Sequence, residues 1–131
     1  MTTVLQFDTT EGASQIFNGS GKITVQATGV YKILYSIQVD TSSGGQQSLY
    51  VWLRKNGVNI PRSASYFTLQ NNGENIAASE IIASLLAGDY IEVVFQSADA
   101  NMTASYIAPG GVAPNNYPAS PSVILDINKI A

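Results

Sequence analysis

Between Gly29 and Asp40 the chain reads Gly-Val-Tyr-Lys-Ile-Leu-Tyr-Ser-Ile-Gln-Val-Asp. Tyr31, Ile33, Tyr35, Ile37 and Val39 recur at every second position, with Val30, Lys32, Leu34, Ser36 and Gln38 between them. A strand sends successive side chains to opposite faces, so this spacing gathers aromatic and β-branched groups on one face. A helix would scatter the same residues around its circumference. The alternate face is mixed, because Val30 and Leu34 stand among polar residues. A long strand with apolar residues on both faces fits a central position, covered by a second sheet on one side and by a partner on the other.

The rest of the chain carries the same signature in shorter pieces. Thr2 to Asp8 reads as a first strand with Leu5 and Phe7 on one face. Gln15-Ile16-Phe17 is short and extended, and Asn18-Gly19-Ser20-Gly21 turns the chain toward Ile23 and Val25. Ser48 to Lys55 sets Leu49, Val51 and Leu53 against Tyr50, Trp52 and Arg54. Asn56-Gly57 follows, the dipeptide that a two-residue hairpin prefers because both positions need positive φ. Val58 to Leu69 is the expected return strand, and Pro61 places it at an edge or in a bulge. Asn75 to Leu86 fits a helical stripe through Ala77, Ala78, Ile81, Ile82 and Leu85, but its setting between a hairpin and a strand favours a strand. Tyr90 to Ser97 points Ile91, Val93 and Phe95 inward against Glu92 and Gln96. Met102 to Ile107 is a candidate short strand, and Val123 to Ile130 closes the chain. Strands separated by turns, with no firm helix, predict an all-β sandwich or barrel.

One domain accounts for all 131 residues. A chain of this size can bury a real core without a covalent staple, and it contains no cysteine to form one. Charged residues are only 11% against 45% hydrophobic, the reverse of the balance that favours disorder. The six basic residues are scattered through a chain of net charge −3. Only Arg54, Lys55 and Arg62 cluster, so nucleic acid is not an expected partner. No apolar run nears the length of a spanning helix, so membrane insertion is not expected either. The opening Met-Thr-Thr-Val-Leu-Gln-Phe-Asp has no basic region followed by an apolar stretch, so no secretory signal is expected there.

Four pieces of sequence, in order, resemble one known fold family. They are Gly29-Val30-Tyr31-Lys32-Ile33, the strand Leu49 to Lys55 with its Lys-Asn-Gly ending, Leu86-Ala87-Gly88-Asp89-Tyr90-Ile91-Glu92-Val93, and the closing Ser122 to Ile130. Together they resemble the jelly-roll domain shared by the globular heads of complement one-q and the tumour necrosis factor cytokines, from about Val4 to the end of the chain. Trp-Leu-Arg-Lys-Asn-Gly and the closing Pro-Ser-Val-Ile-Leu are most similar to versions found in structural proteins of tailed bacteriophages. The resemblance implies an antiparallel β-sandwich of about ten strands in two five-stranded sheets. It also implies a compact homotrimer, with both termini at one end and loops at the other. No collagen-like or coiled-coil stretch precedes the domain, so the domain itself is expected to form the trimer. The implied location is the virion, with an extracellular or cell-surface site as the alternative.

Without histidine or cysteine, Ser-His-Asp and Cys-His nucleophiles and most transition-metal sites are excluded. Paired carboxylates remain in principle, but Asp8, Glu11, Asp40, Glu74, Glu80, Asp89, Glu92, Asp99 and Asp126 show no spacing that singles out a pair. Asp89 in a turn and Glu92 on a polar face read as solvated positions. No enzyme and no cofactor are expected. Calcium is the metal left open, because it takes loop oxygens and some members of the resembled family hold it near the trimer axis. Asp8 with Glu11 is the nearest loop grouping.

The expected sites are therefore surfaces. Tyr31 and Tyr35 are core or trimer-axis residues, the second because the resembled trimer face is aromatic-rich. Ile124 and Ile130, on the polar-alternating face of the last strand, are assigned to the trimer contact. Trp52 points outward with Tyr50, either as a partner- or sugar-stacking residue or as a cover for the sheet. The long segment Ala98 to Ser122 carries Tyr106, Pro109, Val112, Pro114, Tyr117 and Pro118. Loops of such length are commonly functional, and Tyr106 and Tyr117 are candidate contacts for a receptor or a neighbouring subunit. The expected function is a non-enzymatic, trimeric virion protein, either a capsid decoration protein or the knob of a head or tail appendage. Its partners would be itself and capsid or appendage proteins. The alternative is a carbohydrate- or receptor-binding adhesin or tail-fibre module that uses the 98–122 loop.

Overall fold

A computed structural model describes residues 2–7 and 16–131, with the backbone alone at 2 and 16–18. Eleven strands and no helix appear among them: β1 Thr2–Val4, β2 Ile16–Gly19, β3 Lys22–Val25, β4 Gly29–Thr41, β5 Gln47–Lys55, β6 Val58–Asn59, β7 Ser65–Leu69, β8 Glu74–Leu85, β9 Tyr90–Ser97, β10 Met102–Ala104 and β11 Val123–Lys129. They form two antiparallel sheets. The seven-stranded sheet runs β2-β3-β9-β5-β6, with β1 also on β9 and β7 also on β5. In the four-stranded sheet β4 is central, flanked by β8 on one edge and by β10 and β11 on the other.

The core lies between the sheets. From the four-stranded sheet it takes Tyr31, Ile33, Tyr35, Ile37 and Val39, with Ala77 and Leu85 from β8. From the seven-stranded sheet it takes Val25, Leu49, Val51, Leu53, Leu69, Ile91, Val93 and Phe95. Each set sits at period two, which is why the strand pattern alone locates it. Asn75 to Leu86, which fits either period, is the strand β8, paired with β4 from Leu85↔Gly29 to Glu74↔Asp40. Tertiary pairing decides where local pattern cannot.

Asn56 and Gly57 have φ of 51° and 79°, the conformation that this turn requires. The return strand is broken at Pro61. β6 and β7 are separate pairings on β5, and the Ser63 hydroxyl donates to the Ile60 carbonyl at 2.8 Å in the gap. The first strand ends at Val4, short of the expected Asp8, although Leu5 is buried as its pattern requires.

The arrangement departs from the expected five-plus-five sheets because β1 adds to β9 and not to the four-stranded sheet, and because the broken return strand counts as both β6 and β7. Thr2 thereby pairs opposite Gln96, at one end of the sandwich. The chain's last residue lies at the other end, where the Val30 N–H donates to the Ala131 carbonyl at 2.9 Å. Both termini at one end, as the resemblance implies, is therefore not what the described residues show.

Candidate interaction faces

Two surfaces remain once the core is filled, one on the back of each sheet. On the four-stranded sheet, register sets Ile76 beside Gln38, and Ala78, Ser36 and Ile124 in one row. The next rows are Glu80, Leu34 and Asp126, then Ile82, Lys32 and Asn128. Ile76, Ile82, Ile124 and Ile130 are each more than half exposed, and Leu34 is 40% exposed. Lys32 and Glu80 form an ion pair at 3.6 Å with both side chains in water, a contact of small energetic weight. This is an aliphatic face stippled with charge.

Ile124 and Ile130 thus lie outward, where an interface could use them. Tyr31 and Tyr35 do not. Both are buried between the sheets, at 3% and 0% exposure, so their assignment to the trimer contact is corrected: they are core residues. Tyr31 donates its hydroxyl to the Ala27 carbonyl at 2.6 Å. Tyr35 reaches across the sandwich, its hydroxyl 3.5 Å from the Val51 carbonyl. Burial pushes its ionisation up, against the opposing hydrogen bonds of Ser65 and Ser79. A phenol whose hydroxyl finds partners on both sheets satisfies the core aromatic's polar end internally.

The back of the seven-stranded sheet is built differently. Trp52 lies beside Val94 in register, and Val4 lies on Val94's other side. Val94 is fully buried although it points away from the core. Trp52 is half-buried. Its indole N–H donates to Asn59 Oδ1 at 2.8 Å, and the same oxygen accepts from Arg54 Nε at 3.2 Å. The covering role is the one the geometry supports for Trp52. Its neighbour Tyr50 is exposed and paired with Tyr66, ring centroids 5.0 Å apart and tilted by 53°. Glu92, expected in solvent, is 8% exposed and lies opposite Arg54.

The motifs that carry the resemblance meet at one end of the sandwich. Asn56 Nδ2 donates to Asp89 Oδ1 at 2.8 Å, the Tyr90 N–H donates to Asn56 Oδ1 at 3.0 Å, and the Leu86 N–H donates to Asp89 Oδ2 at 2.8 Å. The Asn56 amide, then the Leu86 N–H, hold the Asp89 carboxyl below the usual carboxylate range. At the other end Thr41 and Ser43 donate their hydroxyls to the two Asp99 oxygens. Those hydrogen bonds, that of Thr41 foremost, lower Asp99 likewise. Both carboxylates are tied into turns. Among the described residues no three acids group as metal ligands, and the Asp8–Glu11 pair considered for calcium lies outside those residues.

Tyr106 and Tyr117 are exposed on the segment between β10 and β11, together with Val112. The pattern put Leu34 on the mixed face of the central strand but did not join it to Ile76 and Ile82 as surface neighbours of Ile124. Their signal was present, in the alternation of Ile76 with Ala77 and of Ile81 with Ile82, but it becomes a face only once β8 is aligned with β4. Among the described residues no helix is long and apolar enough to cross a membrane. No protein-family model matches this chain, and no curated protein matches it.

Proposed function

We propose that this chain is the subunit of a homotrimeric jelly-roll protein that serves as a structural component of a tailed-bacteriophage particle, as a capsid decoration protein or the knob of a head or tail appendage. The observation that carries the reading is the aliphatic back of the four-stranded sheet, with Leu34, Ile76, Ile82, Ile124 and Ile130 all uncovered in the single chain. Exposed apolar surface gathered on one rigid face is characteristic of an interaction site. The strand order supports the jelly roll, since β3-β9-β5-β7 and β11-β4-β8 interleave strands distant in sequence. The assembly's work is mechanical: three copies bury this face around a threefold axis and present their remaining surface to a lattice or host. Sedimentation equilibrium tests it, with a species of three times 13.9 kDa expected. Ile124→Asp should shift that species to a folded monomer. A wild-type chain that stays monomeric at all concentrations removes the reading.

A second reading, a carbohydrate- or receptor-binding module, draws on the back of the other sheet. Tyr50 and Tyr66 offer paired exposed rings, with Gln96 beside Tyr50 in register, groups suited to stacking and hydrogen bonding with a sugar. Specific signal on a glycan array, lost in Tyr50→Ala, would favour it. A blank array beside threefold density on particles favours the first reading.

A further inference from the structure

The segment between β10 and β11 is an arm. Ile107 and Ser120 exchange backbone hydrogen bonds of 3.0 and 2.8 Å, and Gly110 and Tyr117 exchange bonds of 3.1 and 2.9 Å. Tyr117 closes over Gly110, where an added Cβ would lie 2.7 Å from the phenol oxygen. The root is tied to β4 at Gln38. The Ser105 N–H donates to the Gln38 carbonyl at 2.7 Å, and the Gln38 N–H donates to the Ser122 carbonyl at 2.9 Å. Gln38 itself points to the back of the four-stranded sheet, and its Oε1 accepts from the Ser120 hydroxyl at 2.8 Å. The arm therefore leaves the domain beside the aliphatic face.

The arm packs little against its own domain. Every residue from 108 to 119 except Gly110 is exposed, Val112 at 81%. An isolated two-stranded hairpin is at best marginal in water, so this one lacks a surface to settle on. Its composition says what kind of surface that is. From Ala100 to Leu125 there is no charged residue, so the arm can be desolvated without stripping water from an ion. Tyr106, Val112, Tyr117 and the intervening prolines supply apolar area. At the root, the Gln38 side chain is held by the arm itself through Ser120, which fixes where the arm leaves the sheet.

We infer that the arm of one copy lies across the back of the four-stranded sheet of a second copy, over Ile76, Ile82 and Ile124. This inference rests on the assembly proposed above and names the element that makes it. Each copy gives an arm and receives one, a head-to-tail contact that closes into a ring when the rotation allows. The uncharged arm suits that face, because Lys32 and Glu80 already pair with each other and Asp126 accepts from Asn128 Nδ2 at 2.7 Å.

The chain has no cysteine, so introduced thiols report contacts without background. Val112→Cys would be co-expressed with Ile76→Cys, Ile82→Cys or Ile124→Cys chains, and with Tyr50→Cys on the opposite back as control. Oxidation should link Val112→Cys to at least one of the first three between chains, at least tenfold faster than to the control. Replacing residues 108–119 with a short Gly-Ser turn should convert the trimer to monomer with an unchanged strand signature in circular dichroism. Three results overturn the inference: cross-linking no faster than the control, a disulfide closed within one chain when both thiols are placed on it, or an arm-deleted protein that remains trimeric. The last would leave the assembly reading standing. A monomeric wild type would remove both.

Discussion

The backs of the two sheets, one aromatic and one aliphatic, are finished in opposite ways. Behind the seven-stranded sheet, the fully buried outward residue Val94 has beside it in register Trp52, whose N–H is spent on Asn59. Tyr66 likewise donates its hydroxyl to Ser48 at 2.9 Å. Behind the four-stranded sheet, isoleucines of β8 and β11 stand uncovered in rows beside charged neighbours. A domain can finish a sheet with its own aromatics or leave it for another molecule. The proposed assembly draws on the second back, while the first keeps its inner residues covered and exposes only the Tyr50–Tyr66 pair beside them.

The largest effect should come from moving a charge by one residue through β4. Tyr35→Asp puts an unpaired carboxylate between the sheets and removes the phenol that reaches Val51, Ser65 and Ser79. A buried, unpartnered charge belongs to the class of changes costing upward of about 4 kcal/mol, enough to unfold a domain of ordinary stability. Loss of the cooperative thermal transition would show it. This variant reports on the core and says nothing about subunit contact. If Tyr35→Asp folds normally, the inward direction of that face is wrong.

One position back, Leu34→Lys tests the uncovered surface. Leu34 lies between Glu80 and Asp126 in register, so a lysine there meets opposite charge and should leave the single chain folded. The same lysine would be desolvated in an interface. Sedimentation should change from trimer to monomer while the denaturation midpoint measured on the monomer stays put. An unchanged trimer would show that the aliphatic back is not where copies meet.

Trp52→Ala measures what roofing is worth. Full truncation of a buried Trp costs about 3–5 kcal/mol, and Trp52 is only half-buried, so about 2 kcal/mol is expected in urea denaturation, with assembly unchanged. Loss of the trimer instead would reverse the comparison between the two backs.

Much of this was legible beforehand. Gly29 to Asp40, Ser48 to Lys55 and Tyr90 to Ser97 match observed strands to within a residue, because a covered strand writes its core face at period two. Asn56-Gly57 declared its turn through backbone conformation alone. The site was less legible, and the reason is geometric. Period two says that β4 has two faces, not which of them meets a second chain, so Tyr31 and Tyr35 were open to both assignments until the sandwich closed over them. Val94 and Glu92 are buried by residues on neighbouring strands, Trp52 and Arg54 among those beside them in register, and those pairings are invisible one strand at a time. Leu34, Ile82 and Asn128 are far apart in sequence and become a surface only through the alignment of β8 and β11 on β4.

The smallest effect separates the motif residues from both backs. Asn56 and Asp89 join the β5–β6 turn to the β8–β9 turn, at the sandwich end, away from either face. Asn56→Gly, which keeps the positive φ of this position, and Asp89→Ala should each cost about 1 kcal/mol, toward the low end for hydrogen bonds because the turns are open to water. The pair should be non-additive in a double-mutant cycle, since either change alone breaks the same contact. Asp89 also sets a pH signature. Its carboxyl ionises more readily in the folded chain than in the unfolded one, where it titrates at about 3.9. Its contribution is then complete above that pH and fades as pH falls through the lower folded value. Wild type should lose stability there more steeply than Asp89→Asn, and parallel acid profiles would show that the turn-to-turn bond contributes nothing. Trimerisation, on the assembly proposed above, should be untouched in all of these variants, because the residues that make the sequence resemble a jelly roll hold the fold's end together and lie away from the uncovered isoleucines.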